Sequence, residues 1–114
     1  MARLLGEDAG ETGGWITRDD QAIGPATRLV VVTEGVLTAR LVDDPTLTDV
    51  GLVIFDEFHE RSVPGDVGLA LMLAGAQKSE HDARLLLMSA TIDADAIAAH
   101  LDDAPVVSSP GRTY

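Results

Sequence analysis

The sequence contains no cysteine, few basic residues and no long apolar run. Without cysteine, the chain can form neither a disulfide framework nor a thiolate–metal site. No apolar run approaches the roughly 20 residues that are needed to cross a bilayer, and nothing at the N-terminus has the character of a secretory signal. We therefore expect a cytoplasmic protein without a membrane partner.

Basic residues are outnumbered by acidic ones, because 8 Lys and Arg stand against 19 Asp and Glu and give a formal net charge of −11. A field of this sign repels a phosphate backbone. The acids are spread along the chain and mostly follow turns and helix starts, where solvation and capping explain them. If nucleic acid is bound, most of the basic groove must lie outside this chain.

Short apolar segments alternate with segments of helical period. This alternation predicts an α/β fold with a mostly parallel sheet flanked by helices. The middle strands are continuously apolar, as in strands that are buried on both faces. The predicted strands are residues 15–18, 28–32, 52–55, 84–88 and 105–107.

Three helices are predicted between these strands. The first covers the apolar residues of 36–41 and ends before Pro45, because proline disfavours helical geometry in the residue before it. The second begins with Asp66 as its N-cap and the third with Asp93. The apolar positions of the second helix predict one buried stripe, which consists of Leu69, Met72, Leu73 and Ala76.

Two adjacent carboxylates, Asp56 and Glu57, follow directly after the apolar run 52–55. In open α/β sheets, ligands bind outside the carboxyl ends of the strands. There the first carboxylate could hold a Mg²⁺ that bridges phosphate oxygens, and the second could orient an attacking water. The same four apolar residues and two acids could also be a strand followed by a solvated loop, so the pair by itself leaves both interpretations open.

The residues that follow this pair are more specific. The string DEFHER at 56–61 resembles motif II of the DEAH-box helicases of superfamily 2, whose usual form is DEAHER. SAT at 89–91 resembles their motif III, TEGVL at 33–37 resembles their segment that contacts the nucleic-acid backbone, and residues 110–114 resemble the segment leading to their second motor domain. These motifs stand in the order of the family. TEGVL and the phenylalanine in place of the usual alanine resemble the bacterial HrpB-type members.

The resemblance implies a partial RecA-like P-loop NTPase domain that uses ATP and Mg²⁺. It implies that Asp56 holds the Mg²⁺ of MgATP through water, with Glu57 beside it, and that Glu57 positions the hydrolytic water. His59 would couple the nucleotide state to motif III, and Arg61 would pair with a neighbouring acid and fix the turn. The motif III residues are Ser89, Ala90 and Thr91.

The resemblance also implies a nucleic-acid partner, RNA or DNA, that is bound without reading its sequence. Thr33 could donate its hydroxyl to a phosphate, and Gly35 would permit close approach of the backbone. Glu34 lies between them and carries the charge that phosphate repels. We interpret it as stabilising the first turn of a helix.

The chain contains no G-x-x-x-x-G-K-[ST] loop to cradle the phosphates of ATP. We therefore interpret residues 1–107 as the C-terminal part of a first RecA-like domain, and residues 108–114 as a linker toward a second. The chain would then be a helicase fragment that is inactive without the other motor parts of its parent. The alternatives are a non-catalytic module that binds nucleic acid or protein, and a part of another Walker-type ATPase.

Overall fold

The computed structural model describes residues 2–78, 82–90, 94–102 and 104–109. The strands are β1 (Gly13–Ile16), β2 (Gln21–Ala22), β3 (Leu29–Val32), β4 (Leu52–Phe55) and β5 (Arg84–Leu87). The helices are α1 (Ala2–Leu5), α2 (Glu34–Asp43), α3 (Val63–Gln77) and α4 (Ala94–His100), with the 3₁₀ turn η1 (Phe58–Glu60). In these residues we find no helix with the length and apolar character to span a membrane.

The strands form two sheets. In the first, β1 pairs antiparallel with β2 and parallel with β3, and in the second β4 pairs parallel with β5. Helix α2 connects β3 to β4, and helix α3 connects β4 to β5. The α/β fold with mostly parallel strands is therefore confirmed.

The core lies between helices α2 and α3 and strand β4. The strand contributes Val53 and Phe55 to it, and the turn η1 contributes Phe58. Its remaining buried residues are Leu41, Leu47 and Met72. The turn that follows β4 is thus attached to the hydrophobic core through one aromatic side chain.

The prediction that the middle strands are buried on both faces is wrong. Val53 and Phe55 are buried, whereas Leu52 and Ile54 are 47% and 41% exposed. Three of the four residues of β3 are also exposed. The reason is that the core helices pack against the face of β4 that carries Val53 and Phe55, and not against the opposite face.

The predicted N-cap of α3 is also wrong. Ser62 caps this helix, because its hydroxyl oxygen accepts a hydrogen bond of 2.9 Å from the backbone N–H of Gly65. Asp66 lies in the first turn, where a negative charge favours the helix dipole. The proline at the second helical position was the available signal, since proline is common at helix starts and follows the serine by two residues.

Glycine forms much of the buried face of α3. The buried glycines are Gly65, Gly68 and Gly75. Of the predicted stripe, Met72 is buried, and the three other positions are half-buried or exposed: Leu69, Leu73 and Ala76. A Cβ atom at Gly68 would lie 3.2 Å from Thr38 Oγ1 on α2. The missing side chain therefore allows α2 and α3 to approach closely.

The predicted strand 105–107 is absent, because residues 104–109 have no regular structure. Pro105 has no N–H to donate to a neighbouring strand, and Val107 is 92% exposed. The predicted cap Asp93 and residues 110–114 of the predicted linker lie outside the described residues.

Replacing Ser62 by Ala should lower the free energy of unfolding by about 1 kcal/mol, because the N–H of Gly65 loses its side-chain acceptor. Urea unfolding followed by circular dichroism measures this difference. Ser62→Asn is the matched control, since asparagine also caps helices well. An unchanged unfolding midpoint for Ser62→Ala would contradict the assigned cap.

Candidate active site

The carboxylates Asp56 and Glu57 lie at the carboxyl end of the parallel pair β4–β5, as predicted. The ladder continues up to them, because the N–H of Met88 donates to the carbonyl of Phe55 over 2.8 Å and the N–H of Phe58 donates to the carbonyl of Met88 over 3.0 Å. Both acidic side chains are exposed. The two carboxylates are therefore held on a hydrogen-bonded strand end and face solvent.

The turn after the strand is bracketed by two left-handed residues. Glu57 has φ 50° and Arg61 has φ 44°, on either side of η1. Such a conformation costs a non-glycine residue about 1–3 kcal/mol and persists only where the surroundings impose it. Here the buried ring of Phe58 and the hydrogen bond from Glu60 N–H to the Glu57 carbonyl, 2.9 Å long, hold the turn. The position of Glu57 is thus fixed by the core beneath it.

His59, in the turn η1, lies close to Glu57 and to the segment after β5. Its Nδ1 atom is 3.4 Å from Glu57 Oε2, 3.2 Å from Ser89 Oγ and 3.4 Å from the backbone nitrogen of Ala90. The N–H of Ala90 needs the lone pair of Nδ1, whereas the carboxylate of Glu57 needs a proton on that atom. One nitrogen cannot satisfy both, so the position of the ring proton decides which neighbour His59 holds.

The predicted coupling residues are therefore partly brought together. His59 contacts both Ser89 and Ala90, which lie directly after β5 at the same end of the sheet. Thr91, the third residue of the predicted motif, lies outside the described residues. The contact joins two segments that are 30 residues apart in the sequence.

Arg61 pairs with a neighbouring acid, as predicted, and this acid is Asp66. Its Nε and Nη2 atoms donate to the two carboxylate oxygens over 3.0 and 2.8 Å. These hydrogen bonds raise the pKa of the Arg61 guanidinium above its ordinary value. The guanidinium also lies 5.2 Å from the ring centroid of Phe58, a cation–π contact. Arg61 thus ties η1 to the first turn of α3.

Thr33 and Gly35, the predicted nucleic-acid contacts, lie at the start of α2 directly after β3. Thr33 is the extended N-cap residue, and its side chain makes no capping hydrogen bond. Both residues are exposed, and a Cβ atom at Gly35 would meet no other atom within 4 Å. The start of α2 is therefore open to a large ligand.

The fit of the acidic pair to Mg²⁺ follows from its ligand chemistry. Mg²⁺ in nucleotide sites takes one or two carboxylates and fills its other positions with water and phosphate oxygens. Asp56 and Glu57 are exposed carboxylates of this kind, and Asp56 Oδ1 is oriented by the N–H of Glu57 over 2.9 Å. Within residues 2–78, 82–90, 94–102 and 104–109, no group of three or more potential metal ligands is assembled. The pair fits a metal that arrives with its nucleotide rather than a protein-only cage.

Comparison with known proteins decides the family. The DEAD/DEAH box helicase family model matches residues 9–99. The chain belongs to this family. The resemblance that the DEFHER, SAT and TEGVL motifs indicated is thereby confirmed.

Individual DEAD/DEAH helicases are similar to this chain over nearly its whole length. It is 52% identical over 114 residues to the ATP-dependent RNA helicase HrpB of Escherichia coli K12, and covers 14% of that protein. It is 39% identical over 109 residues to the DExH-box ATP-dependent RNA helicase DExH1 of Arabidopsis thaliana, which is 96% of this chain and 11% of the relative. The crystal structure of the E. coli DEAH/RHA helicase HrpB superposes with a TM-score of 0.91 over 99% of this chain and 14% of that one.

The structural match also shows the fold of this chain. Its helices and parallel strands form part of a RecA-like domain, as the motifs implied. The chain spans only 14% of the length of E. coli HrpB.

Proposed function

We propose that this chain supplies the metal-binding, water-positioning and coupling segments of an ATP-dependent RNA helicase motor. The observation that carries the proposal is the cluster at the ends of β4 and β5, where His59 Nδ1 lies 3.4 Å from Glu57 Oε2 and 3.2 Å from Ser89 Oγ. RNA is the proposed substrate because HrpB of E. coli and DExH1 of A. thaliana are both named as RNA helicases.

Each residue of the cluster has a proposed role. Asp56, as the Walker B acid, would hold Mg²⁺ through water, and the bound ion would neutralise charge on the phosphates of ATP. Glu57 would orient the attacking water and accept its proton. His59 would exchange its contact between Glu57 and the segment Ser89–Ala90 as the nucleotide state changes. An intact cluster of this kind favours a working motor over a non-catalytic binding module.

The remaining parts of the motor are proposed to lie outside this chain. Residues 1–107 would belong to the first RecA-like domain and residues 108–114 would lead to the second. The phosphate-binding loop that the chain lacks would be supplied by the same parent protein, in the cytoplasm. The chain by itself is therefore expected to show no ATP hydrolysis.

A chimera tests the proposal. In it, this chain replaces the matching segment of E. coli HrpB, to which it is 52% identical. We expect the chimera to hydrolyse ATP and to do so faster when RNA is added. A folded chimera that binds ATP and RNA without hydrolysis would contradict the proposed function.

RNA binding by the chimera is expected to be independent of base sequence, because the proposed contacts of Thr33 and Gly35 are to the phosphate backbone. Oligonucleotides of equal length and different base composition should therefore bind with similar affinity at one salt concentration. A strong preference for one sequence would contradict this part of the proposal.

Replacing Asp56 by Asn should raise the Mg²⁺ concentration for half-maximal hydrolysis by about 10–100-fold, as is common when an outer ligand of a metal is lost. A Mg²⁺ titration of the ATPase rate of the chimera measures this. Asp49→Asn is the matched control, because Asp49 is an exposed acid in the loop before β4. Equal Mg²⁺ dependence of the two variants would remove Asp56 from its proposed role.

A further inference from the structure

Glu34 is an acid within the segment that is proposed to meet phosphate, and the structure connects it to a residue far along the chain. The hydroxyl of Ser62 donates a hydrogen bond to Glu34 Oε2, across a separation of 28 residues. The same hydroxyl oxygen accepts the N–H of Gly65 over 2.9 Å. Ser62 therefore caps α3 and binds the first residue of α2 at the same time.

A second side chain of α2 holds the start of α3. Thr38 Oγ1 lies 2.8 Å from the carbonyl oxygen of Pro64 and 2.9 Å from that of Glu34. A hydroxyl has one hydrogen, so this donor is shared between the two carbonyls. The first turns of α2 and α3 are thus linked twice by side chains of α2.

Glycine makes room for the first of these links. A Cβ atom at Gly65 would lie 2.7 Å from Glu34 Oε1 and 3.0 Å from Ser62 Oγ. The first of these distances is too short for any side-chain carbon. Any larger residue at position 65 would therefore displace the Glu34 carboxylate from Ser62.

The start of α3 is also bound to η1, the turn that follows Asp56 and Glu57. Arg61 precedes Ser62 directly and forms two hydrogen bonds with Asp66 in the first turn of α3. Its guanidinium contacts the ring of Phe58, the neighbour of Glu57. A continuous series of contacts therefore runs from the start of α2 to the proposed catalytic carboxylate.

We propose that Glu34 is a positioning residue that relays RNA binding at the start of α2 to Glu57, through its hydrogen bond with Ser62. The inference rests on the proposed function. A phosphate at Thr33 and Gly35 would repel the adjacent Glu34 carboxylate, because like charges a few ångströms apart repel each other. The repulsion changes the strength of the hydrogen bond between Ser62 and Glu34. A change in this bond shifts the position of α3 and of the DEFHER residues 56–61. The relay gives a role to Glu34, the acid of TEGVL, which a phosphate would repel and which therefore cannot serve as a phosphate contact.

Two variants of Ser62, to Asp and to Asn, have side chains of nearly the same shape and separate the relay from the helix cap. Asp and Asn are both good N-caps. Asp places a second carboxylate against Glu34, whereas the amide of Asn can still donate a hydrogen bond to it. Ser62→Asp therefore keeps the cap and breaks the relay, and Ser62→Asn keeps both.

The test measures ATP hydrolysis by the HrpB chimera with and without a uridine homopolymer RNA. Ser62→Asp should lose about 5-fold or more of the maximal RNA stimulation, the lower range of typical coupling between two sites. The RNA concentration for half-maximal stimulation should stay unchanged, because the phosphate contacts are intact. Ser62→Asn should keep the stimulation of the unmodified chimera. In the double variant with Glu34→Gln and Ser62→Asp, the amide donates to the new carboxylate but carries no charge for the phosphate to repel, so the stimulation should stay as low as in Ser62→Asp.

The outcomes separate this inference from the proposed function. If Ser62→Asp and Ser62→Asn are stimulated equally, the relay is wrong and the motor function stands. If the unmodified, folded chimera shows no stimulation by RNA, the proposed function is wrong and the relay with it. A change in stability alone would affect the rates with and without RNA together, and would also contradict the relay.

Amide hydrogen exchange of the HrpB chimera, recorded in the absence of ATP, gives a second measurement. Adding the same uridine RNA should slow exchange at residues 34–38 and at 57–66 in the natural sequence. In Ser62→Asp the slower exchange at residues 34–38 should remain, and the slower exchange at 57–66 should disappear. Persistence of both effects in that variant would overturn the relay.

Discussion

Replacing Glu57 by Gln in the HrpB chimera should lower RNA-stimulated ATP hydrolysis by about 10²–10⁴-fold, the usual contribution of a positioned general base. Gln keeps the size of the side chain and can still hydrogen-bond a water, but it cannot accept the proton. ATP binding should persist, because the phosphate-binding loop is supplied by the HrpB part of the chimera. Single-turnover hydrolysis and nucleotide binding, measured separately, check the two parts of this expectation.

Glu11→Gln is the matched control for this experiment. Glu11 is an exposed glutamate in the loop before β1, away from the strand ends that carry the cluster. The same change of charge there should leave the hydrolysis rate of the chimera intact. If the two variants hydrolyse ATP at the same rate, Glu57 does not activate the attacking water.

Replacing Phe58 by Ala should lower the free energy of unfolding of the chain by about 3–5 kcal/mol, as for other buried phenylalanines. The ring is only 8% exposed and packs edge-on against Phe55, with ring centroids 6.3 Å apart. Removing it leaves a cavity beneath η1 and takes the cation–π partner from Arg61. Alanine is the usual residue of DEAH-box helicases at this position, so the variant restores the family motif at a cost in stability.

Urea unfolding of the chain measures this second effect. Val63→Ala is the control, since Val63 lies five residues further along and is 78% exposed. That change should stay within about 0.5 kcal/mol, as for other surface substitutions. A similar small change for Phe58→Ala would show that the core tolerates the loss of the ring, and that the turn is held by its hydrogen bonds alone.

The sequence allowed the positions of the acidic pair and of the strands beside it to be predicted, because these depend on local pattern. The run 52–55 is a strand with the predicted bounds, and Asp56 and Glu57 follow it at the carboxyl end. Three other predicted strands began and ended within two residues of the observed bounds: β1, β3 and β5. The predicted strand at 105–107 was wrong: Pro105 has no N–H to donate to a ladder, and no strand of the described residues pairs with this run.

The error in the predicted burial of the strands has a different cause from the error at 105–107. A continuous apolar run such as that of β4 has the composition of a strand buried on both faces, but burial depends on which helices pack where. The Ser62 cap was missed because Asp66 is an equally common capping residue. Choosing between them requires the backbone N–H of Gly65, which only the folded chain brings to the Ser62 hydroxyl.

The sequence by itself determined the family, the α/β class and the identity of the candidate catalytic residues, because short motifs and strand patterns are contained in neighbouring residues. The tertiary structure decided which of these residues touch. His59 meets Ser89 and Glu34 meets Ser62 across 30 and 28 residues, and Arg61 rests on Phe58. Such contacts arise from the packing of helices on strands, and packing is a property of the whole chain.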